Sequence, residues 1–321
     1  MRSAGPRRAT STIDGSMTPL TPAVSVVIPH LNEPDDLHRC LKSLQAQKGR
    51  IRFEVIVVDN GSRKLPVATC SEFPGVRLEE EPAPGPGPAR NRGARCARAP
   101  IISFIDADCL ADENWIGQID QFFSLHPDID FIGGNILVAK GNGRRATAIE
   151  SYESIFSYRA QLYVERDRYA ATGNMSVRSN AFRMVGPFGG IAISEDREWG
   201  QRAVANGLKL AFAPNIKVFT PACKTFAELT RRWDRAVAHD FEELRRRGGG
   251  MAGWLISSLA VAVSPLPELI TILRSDKVSG ARQRLLAFAC LVRTRLYRAR
   301  KMLALALREE PIFLVSKWNR E

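Results

Sequence analysis

The sequence predicts an α/β protein: an open, mostly parallel sheet with helices on both faces, followed by amphipathic helices towards the C-terminal end. Two observations carry the sheet. From Val24 onward, short runs rich in β-branched residues alternate with helical patterns, the order that builds parallel sheets. The runs are also too apolar to meet water on both sides, so helices must cover them. The third observation is a change of texture in the last third, where the pattern becomes long, helical and basic.

Length and composition permit this fold. With 321 residues, 45% hydrophobic and 25% charged, the chain holds one large domain or two modest ones and can bury a core unaided. This composition excludes wholly disordered, collagen-like and disulfide-scaffold proteins.

Residues 1–22 are rich in Ser, Thr, Pro and Arg without the apolar stretch of a secretory signal, and read as a disordered leader. Within it Met17 offers a second start besides Met1. VSVVIP (24–29) is the first strand. Glu33 to Gln47 sets Leu37, Cys40, Leu41 and Leu44 at helical spacing, so a crossover helix joins that strand to FEVIVVD (53–59) in a βαβ unit. VRLEE (76–80) and IISFID (101–106) complete the strand candidates. Between them PAPGPGP (82–88) reads as a loop, because proline lacks the backbone donor and glycine loses too much entropy. From Phe131 to about Pro221 strands and helices mix with no linker. Residues 23–235 are therefore expected to form one domain, and 236–321 a helical, basic C-terminal region.

The net charge of +12 is localised: residues 23–230 carry only +1, whereas 231–308 carry +10. An anionic partner is expected at the C-terminal third. The six cysteines lie far apart with no C-x-x-C pair, as free thiols of a reducing compartment do, and none of the four histidines falls at metal-ligand spacing with another.

The chemistry concentrates where strands end. Asp106 and Asp108 follow IISFI directly, separated by one small residue. Carboxylates at a strand's C-terminal end lie where open α/β sheets bind ligands, and they suit a hard divalent cation bridging a diphosphate. The same tripeptide also serves as a solvated turn. Asp59 ends a second apolar strand, where it accepts bonds from a base or ribose or caps an Asx turn. Ser194-Glu195-Asp196 opens an amphipathic run, as a helix N-terminus does. The macrodipole there favours an ionised carboxylate, the state a base needs.

SVVIPHLNE (25–33), EVIVVDNGS (54–62), GPARNRGARCA (87–97), FIDADC (104–109), GNMSVRSNAF (173–182) and SEDREWGQRAVANG (194–207) resemble, in order and approximate spacing, the motifs of family 2 glycosyltransferases. The resemblance spans about residues 23–235. It implies a nucleotide-binding sheet of the A-type glycosyltransferase fold, a catalytic domain over 23–235, and sugar transfer from a nucleotide-diphosphate donor with inversion. By the same resemblance Pro29, Asn32, Glu33, Asp59, Arg90, Asn91 and Asp106 line the donor site. Asp106 and Asp108 hold Mg²⁺ or Mn²⁺, with Asp108 the direct ligand, and Asp196 is the general base. Gly173, Asn174 and Glu195 lie on the acceptor side. Arg231-Arg232-Trp233 resembles the R-W of processive polysaccharide synthases, but Leu229 stands where those carry glutamine, which argues against a polymerising enzyme.

Residues 251–273 are strongly apolar but interrupted by Pro265, Pro267 and Glu268. The 14 residues up to Ser264 make roughly 21 Å of helix against a bilayer core of about 30 Å, so shallow or re-entrant burial is expected. Beyond them Leu285, Phe288, Val292, Leu296, Leu303 and Leu307 define one apolar face. Arg282, Arg284, Arg293, Arg295, Arg298, Arg300 and Lys301 surround it, a design for an anionic membrane surface. The alternative is a helix packed on the catalytic domain. No nucleic-acid motif accompanies the charge. The expectation is thus a metal-dependent transferase at the cytoplasmic face of the plasma membrane, acting on a lipid-linked or envelope-glycan acceptor. A nucleotidyltransferase, or a noncatalytic membrane or nucleic-acid adaptor, stands as the alternative.

Overall fold

The computed structural model describes residues 21–139, 145–191, 193–246, 248 and 250–308. The expected leader and its two candidate starts fall, but for residues 21 and 22, outside the described residues. In chain order the elements are β1 (Val24–His30), α1 (Pro34–Gln45), β2 (Phe53–Asp59), α2 (Val67–Ser71), β3 (Val76–Glu80), α3 (Pro86–Cys96), β4 (Ile101–Ile105) and β5 (Leu110–Ala111). There follow α4 (Trp115–Leu125), β6 (Phe131–Val138), α5 (Ala148–Phe156), α6 (Ala160–Glu165), β7 (Asn174–Arg178), α7 (Ser179–Val185), α8 (Glu195–Ala205) and β8 (Leu210–Thr220). The last four elements among the described residues are helices: α9 (Phe226–Arg246), α10 (Met251–Val263), α11 (Pro265–Arg274) and α12 (Gly280–Arg308).

The eight strands among the described residues form one sheet in the order β3-β2-β1-β4-β7-β6-β8-β5. β7 and β5 run against the other six, so the sheet is mostly parallel. Helices cover both faces. On one, Leu37, Cys40, Leu41 and Leu44 of α1 and Trp115, Ile116, Ile119 and Phe123 of α4 share one buried cluster with side chains of β1, β2, β4, β6 and β8, α4 lying on β8. On the other, Ala89 of α3, Phe182 of α7 and Trp199 of α8 share a cluster with Val27 of β1, Ile56 of β2, Phe104 of β4, Phe131 of β6 and Met175 of β7. Gly93 of α3 lets that helix seat closely, since a Cβ there would stand 2.3 Å from Val27.

The strand over 76–80 is the least covered, because β3 is the sheet edge and its five residues are half-buried or exposed. The stretch PAPGPGP is a loop only to Gly85, because Pro86 and Pro88 occupy the first turn of α3. First-turn N–H groups have no intrahelical acceptor, so proline forfeits nothing there.

The expected boundary at 235/236 falls inside α9, which runs unbroken for 21 residues. One side of α9 packs through Leu229, Val237 and Phe241 against α5, α10 and α12. Most of the apolar face expected on α12 is left outside the fold, and a second face of the helix packs. Its contact face is Ala287, Cys290, Leu291, Thr294, Ala299, Met302 and Leu305, all buried, whereas Leu285, Leu296, Leu303 and Leu307 are exposed. Small residues let the backbones approach: Ser258 of α10 donates to the Ala299 carbonyl at 3.0 Å and Trp254 Nε1 to that of Met302 at 2.9 Å. Much of the basic side also turns inward. Arg295 pairs with Glu268 at 2.8 Å, Lys301 with Asp234 at 3.6 Å, and Arg298 lies over the Trp233 ring at 4.1 Å.

Candidate active site

Strand ends and helix starts converge on one cleft of about 520 Å³. Its floor is the rim where β1 and β4 end, giving Pro29, His30, Asp106 and Asp108. The turn before β7 supplies Thr172 and Gly173. The first turn of α8 supplies Glu195 and Asp196, and one face of α9 supplies Arg232, Arg235, Ala236 and His239.

Arg90 ties the two acidic clusters together. Its buried guanidinium donates through Nη2 to Asp106 Oδ1 at 2.6 Å and through Nη1 to Glu195 Oε1 at 2.8 Å. Gly173 fits close behind: a Cβ there would stand 2.9 Å from Asp106 Oδ2, so only glycine leaves that carboxylate its place. Ser194 occupies the N-cap position of α8, yet its hydroxyl donates to Asp196 Oδ1 at 3.1 Å rather than capping a backbone N–H itself.

Burial and the neighbouring Glu195 raise the Asp196 carboxyl to about 6, so the macrodipole expected to keep it ionised is outweighed. Burial and Asp106 likewise raise Asp108 to about 6. A ligand atom from each of Asp106, Asp108 and Cys109 lies within 4.8 Å of the others. Burial and the two carboxylates push the Cys109 thiol well up, which keeps it protonated. The donor set is therefore two oxygens beside a neutral thiol, which fits Mg²⁺ or Mn²⁺ better than a thiophilic metal.

Of the residues singled out in the sequence, Pro29, Glu33, Arg90, Asp106, Asp108, Gly173, Glu195 and Asp196 line the cleft. Asp59, Asn91 and Asn174 lie buried behind it, and Asn32 is exposed beside it on the first loop. Asp59 is buried with Oδ1 against His30 Nδ1 at 3.0 Å and Oδ2 accepting from the backbone N–H groups of Gly61 and Ser62. Burial opposes its ionisation, but the bonds from Ser62 and His30 hold its carboxyl below the usual range. Asn91 spends its amide on the backbone of Phe188, donating at 2.9 Å and accepting at 2.8 Å. Asn174 accepts from Trp115 Nε1 and donates to the carbonyls of Asn135 and Ile216, each at 2.9 Å. Asn32, in the left-handed region at φ 58°, accepts from the Arg63 N–H and pins the first loop to the loop after β2. The sequence reading passed over His30, Tyr158, Arg235 and His239, which line the cleft. For α9 a signal existed, because positions 232, 235, 236 and 239 share one helical face.

A mostly parallel sheet with helices on both faces and carboxylates gathered at its C-terminal rim defines an enzyme of the A-type glycosyltransferase fold. The model of the family "Glycosyl transferase family 2" matches residues 25–186, and the chain belongs to that family. It is similar to glycosyltransferase AglE of Haloferax volcanii, at 32% identity over 223 residues, covering 67% of this chain and 72% of the relative. The uncharacterised glycosyltransferase YibD of Escherichia coli is 35% identical over 92 residues, 27% of this chain and 26% of its own length. In fold it is similar to mannosyltransferase PcManGT of Pyrobaculum calidifontis, in complex with GDP-Man and Mn²⁺, with a TM-score of 0.58 and 15% identity over 90% of this chain and 88% of that one. S. aureus TarS 1–349, in complex with UDP-GlcNAc, gives 0.51 and 16% over 82% and 70%.

Proposed function

We propose that the enzyme transfers a sugar, with inversion, from a nucleotide-diphosphate donor to an acceptor hydroxyl in this cleft, in a reaction dependent on Mg²⁺ or Mn²⁺. The observation that carries the reading is the meeting of Asp106 and Asp108 with Asp196 around one cavity, with Arg90 bridging Asp106 to the neighbouring Glu195. PcManGT, of similar fold, is described with GDP-Man and Mn²⁺, and TarS with UDP-GlcNAc.

Asp106 and Asp108 would hold the cation, which when bound offsets the charge that grows on the leaving diphosphate. The chain's own residues do the rest. Asp196, ionised, accepts the acceptor hydroxyl's proton as that oxygen attacks the anomeric carbon from the side opposite the diphosphate. Ser194 aims that carboxylate through its hydrogen bond to Oδ1. Arg90 holds Asp106 and Glu195 in place while the donor enters. Asp59, through His30, supports the donor pocket from behind.

The acceptor we assign is lipid-linked or part of an envelope glycan, reached from the cytoplasmic face of the plasma membrane. Support comes from the C-terminal helices, which expose Ile256, Leu259 and Val263 on α10, Leu266, Ile270 and Leu273 on α11, and Leu285, Leu296 and Leu307 on α12. Arg282, Arg293 and Arg300 are exposed on α12. Among the described residues no single helix is long and apolar enough to cross a membrane, while α10 and α11, bent by 44°, pass that test only together. An apolar surface with basic neighbours suits adsorption to an anionic bilayer.

Transfer and donor binding, measured separately, test the assignment. Asp196→Asn should bind donor normally and lose transfer by about 10²-fold or more, whereas Asp108→Ala should lose metal-dependent donor binding. Full transfer by both variants would refute it.

A further inference from the structure

Glu153 lies on α5 with its side chain only 1% exposed, and it does not line the cleft. Arg232 Nη1 donates to its Oε1 at 2.9 Å, as does the Ser157 hydroxyl at 3.0 Å, and the Cys223 N–H donates to Oε2 at 2.6 Å. Taking a carboxylate this far out of water is costly, and an apolar side chain of similar volume serves stability as well or better. What an apolar side chain does not do is fix a guanidinium. Arg232 lines the cleft and lies over the ring of Tyr158, another lining residue, at 5.7 Å.

Glu33, Asp106, Asp108, Glu195 and Asp196 all face the cavity, with Arg235 and His239 on the α9 wall beside Arg232. A phosphate group entering there meets like charge unless cations lie ready. Arg90 is already committed to Asp106 and Glu195. Arg232 gives Nη1 to Glu153 and stands at the cleft on α9, where a planar fork of donors suits phosphate oxygens.

We infer that Glu153 is a positioning residue for the transfer reaction, holding Arg232 in the cleft so that its guanidinium meets a phosphate group of a substrate. The phosphate belongs either to the donor's diphosphate or to a lipid-phosphate acceptor. The inference rests on the reading that this cleft takes a nucleotide sugar. It also links the site to the C-terminal helices, because α5 packs through Tyr152, Ile155 and Phe156 against the cluster that includes Leu291 of α12.

The test uses the full chain as wild type, Glu153→Gln, Glu153→Asp, Arg232→Gln and the Glu153→Gln/Arg232→Gln double variant. Binding of UDP and GDP is measured calorimetrically with Mn²⁺ present, and binding to vesicles carrying a polyprenyl phosphate is measured in parallel. In one of these two arms, which identifies the phosphate, Arg232→Gln should weaken binding about 10- to 100-fold and Glu153→Gln about 10-fold. Glu153→Asp should recover part of the loss. In the Arg232→Gln background, Glu153→Gln should change nothing further, because it acts through that arginine. If Gln at position 153 does not fold, Arg232→Lys, which keeps the charge but not the fork, should show the same weakening.

Unchanged binding in both arms for the Arg232 variants, or effects of Glu153→Gln and Arg232→Gln that multiply, would overturn the inference. If those variants bind normally while Asp108→Ala still loses UDP or GDP, only the positioning claim falls. If no cleft variant alters binding or transfer, the nucleotide-sugar reading falls and takes this one with it.

Discussion

Asp196 carries its chemistry and its cost in the same carboxylate. Its carboxyl is raised to about 6 by burial and by Glu195, so its base form disappears as the pH falls through that value. We expect kcat/KM to drop about tenfold per pH unit below 6 and to level off above it, measured as a pH profile with the metal saturating. The stability sign follows from linkage. A carboxyl raised on folding binds its proton better in the native state, so its contribution is favourable at low pH and is lost as the pH rises through about 6. Asp196→Asn should therefore melt roughly 2–4 °C higher than wild type at pH 7.5, with the gap closing near pH 4. Gly173→Ala sets a methyl 2.9 Å from Asp106 Oδ2, and should raise KM for the donor with little change in melting temperature, read by steady-state kinetics beside a thermal scan. The acidic cleft residues were legible because strand ends fix where Asp106 and Asp108 must stand. The side chains of Asn91 and Asn174 were not, because their partners Phe188 and Trp115 are distant in sequence and set by tertiary packing alone.

Helix faces were read less well than helix positions. The spacing of Leu37, Cys40, Leu41 and Leu44 predicted the buried face of α1 directly, since one helix there covers one sheet. For α12 the same spacing picked out Leu285, Leu296, Leu303 and Leu307, which stay exposed as a surface-facing stripe does, but it gave no sign of the second face that packs. The packing face is built from Ala287, Cys290, Thr294 and Ala299, whose value is that they allow close approach, with Leu291 and Leu305 among them. Basic residues that looked solvated instead meet Glu268, Asp234 and Trp233, partners supplied by α9 and α11 through tertiary packing. The contrast is measurable by denaturant unfolding. Leu291→Ala, at a fully buried position, should cost about 2–5 kcal/mol, whereas Leu296→Ala, 49% exposed, should change stability by less than about 0.5 kcal/mol.

For the molecule as a whole, the strands β1 to β4 were legible in the alternating pattern, but the antiparallel insertion of β7 between β4 and β6 had no local signature, because its partners are distant in sequence. The C-terminal helices are integral to the body: removing them would uncover Leu229 and Phe241 of α9 and Tyr152 and Ile155 of α5. The membrane reading is accordingly tested on the intact chain. Ile256→Glu, Leu259→Glu and Ile270→Glu together should reduce co-sedimentation with anionic vesicles by about tenfold or more without lowering the melting temperature. Equal sedimentation would separate the exposed apolar surface from any bilayer. Gly134 bears on heredity. Between Gly134 and Asn135 the pairing of β6 with β8 slips, so that Ala213 is followed in register by Lys217, and the Asn174 amide fills the gap by donating to Asn135 and Ile216. A Cβ at position 134 would stand 2.3 Å from that amide nitrogen. The same Cβ would stand 2.5 Å from the Ile216 carbonyl oxygen, so no change at 174 makes room for it, and homologous sequences that keep this irregularity of the backbone should keep glycine at 134.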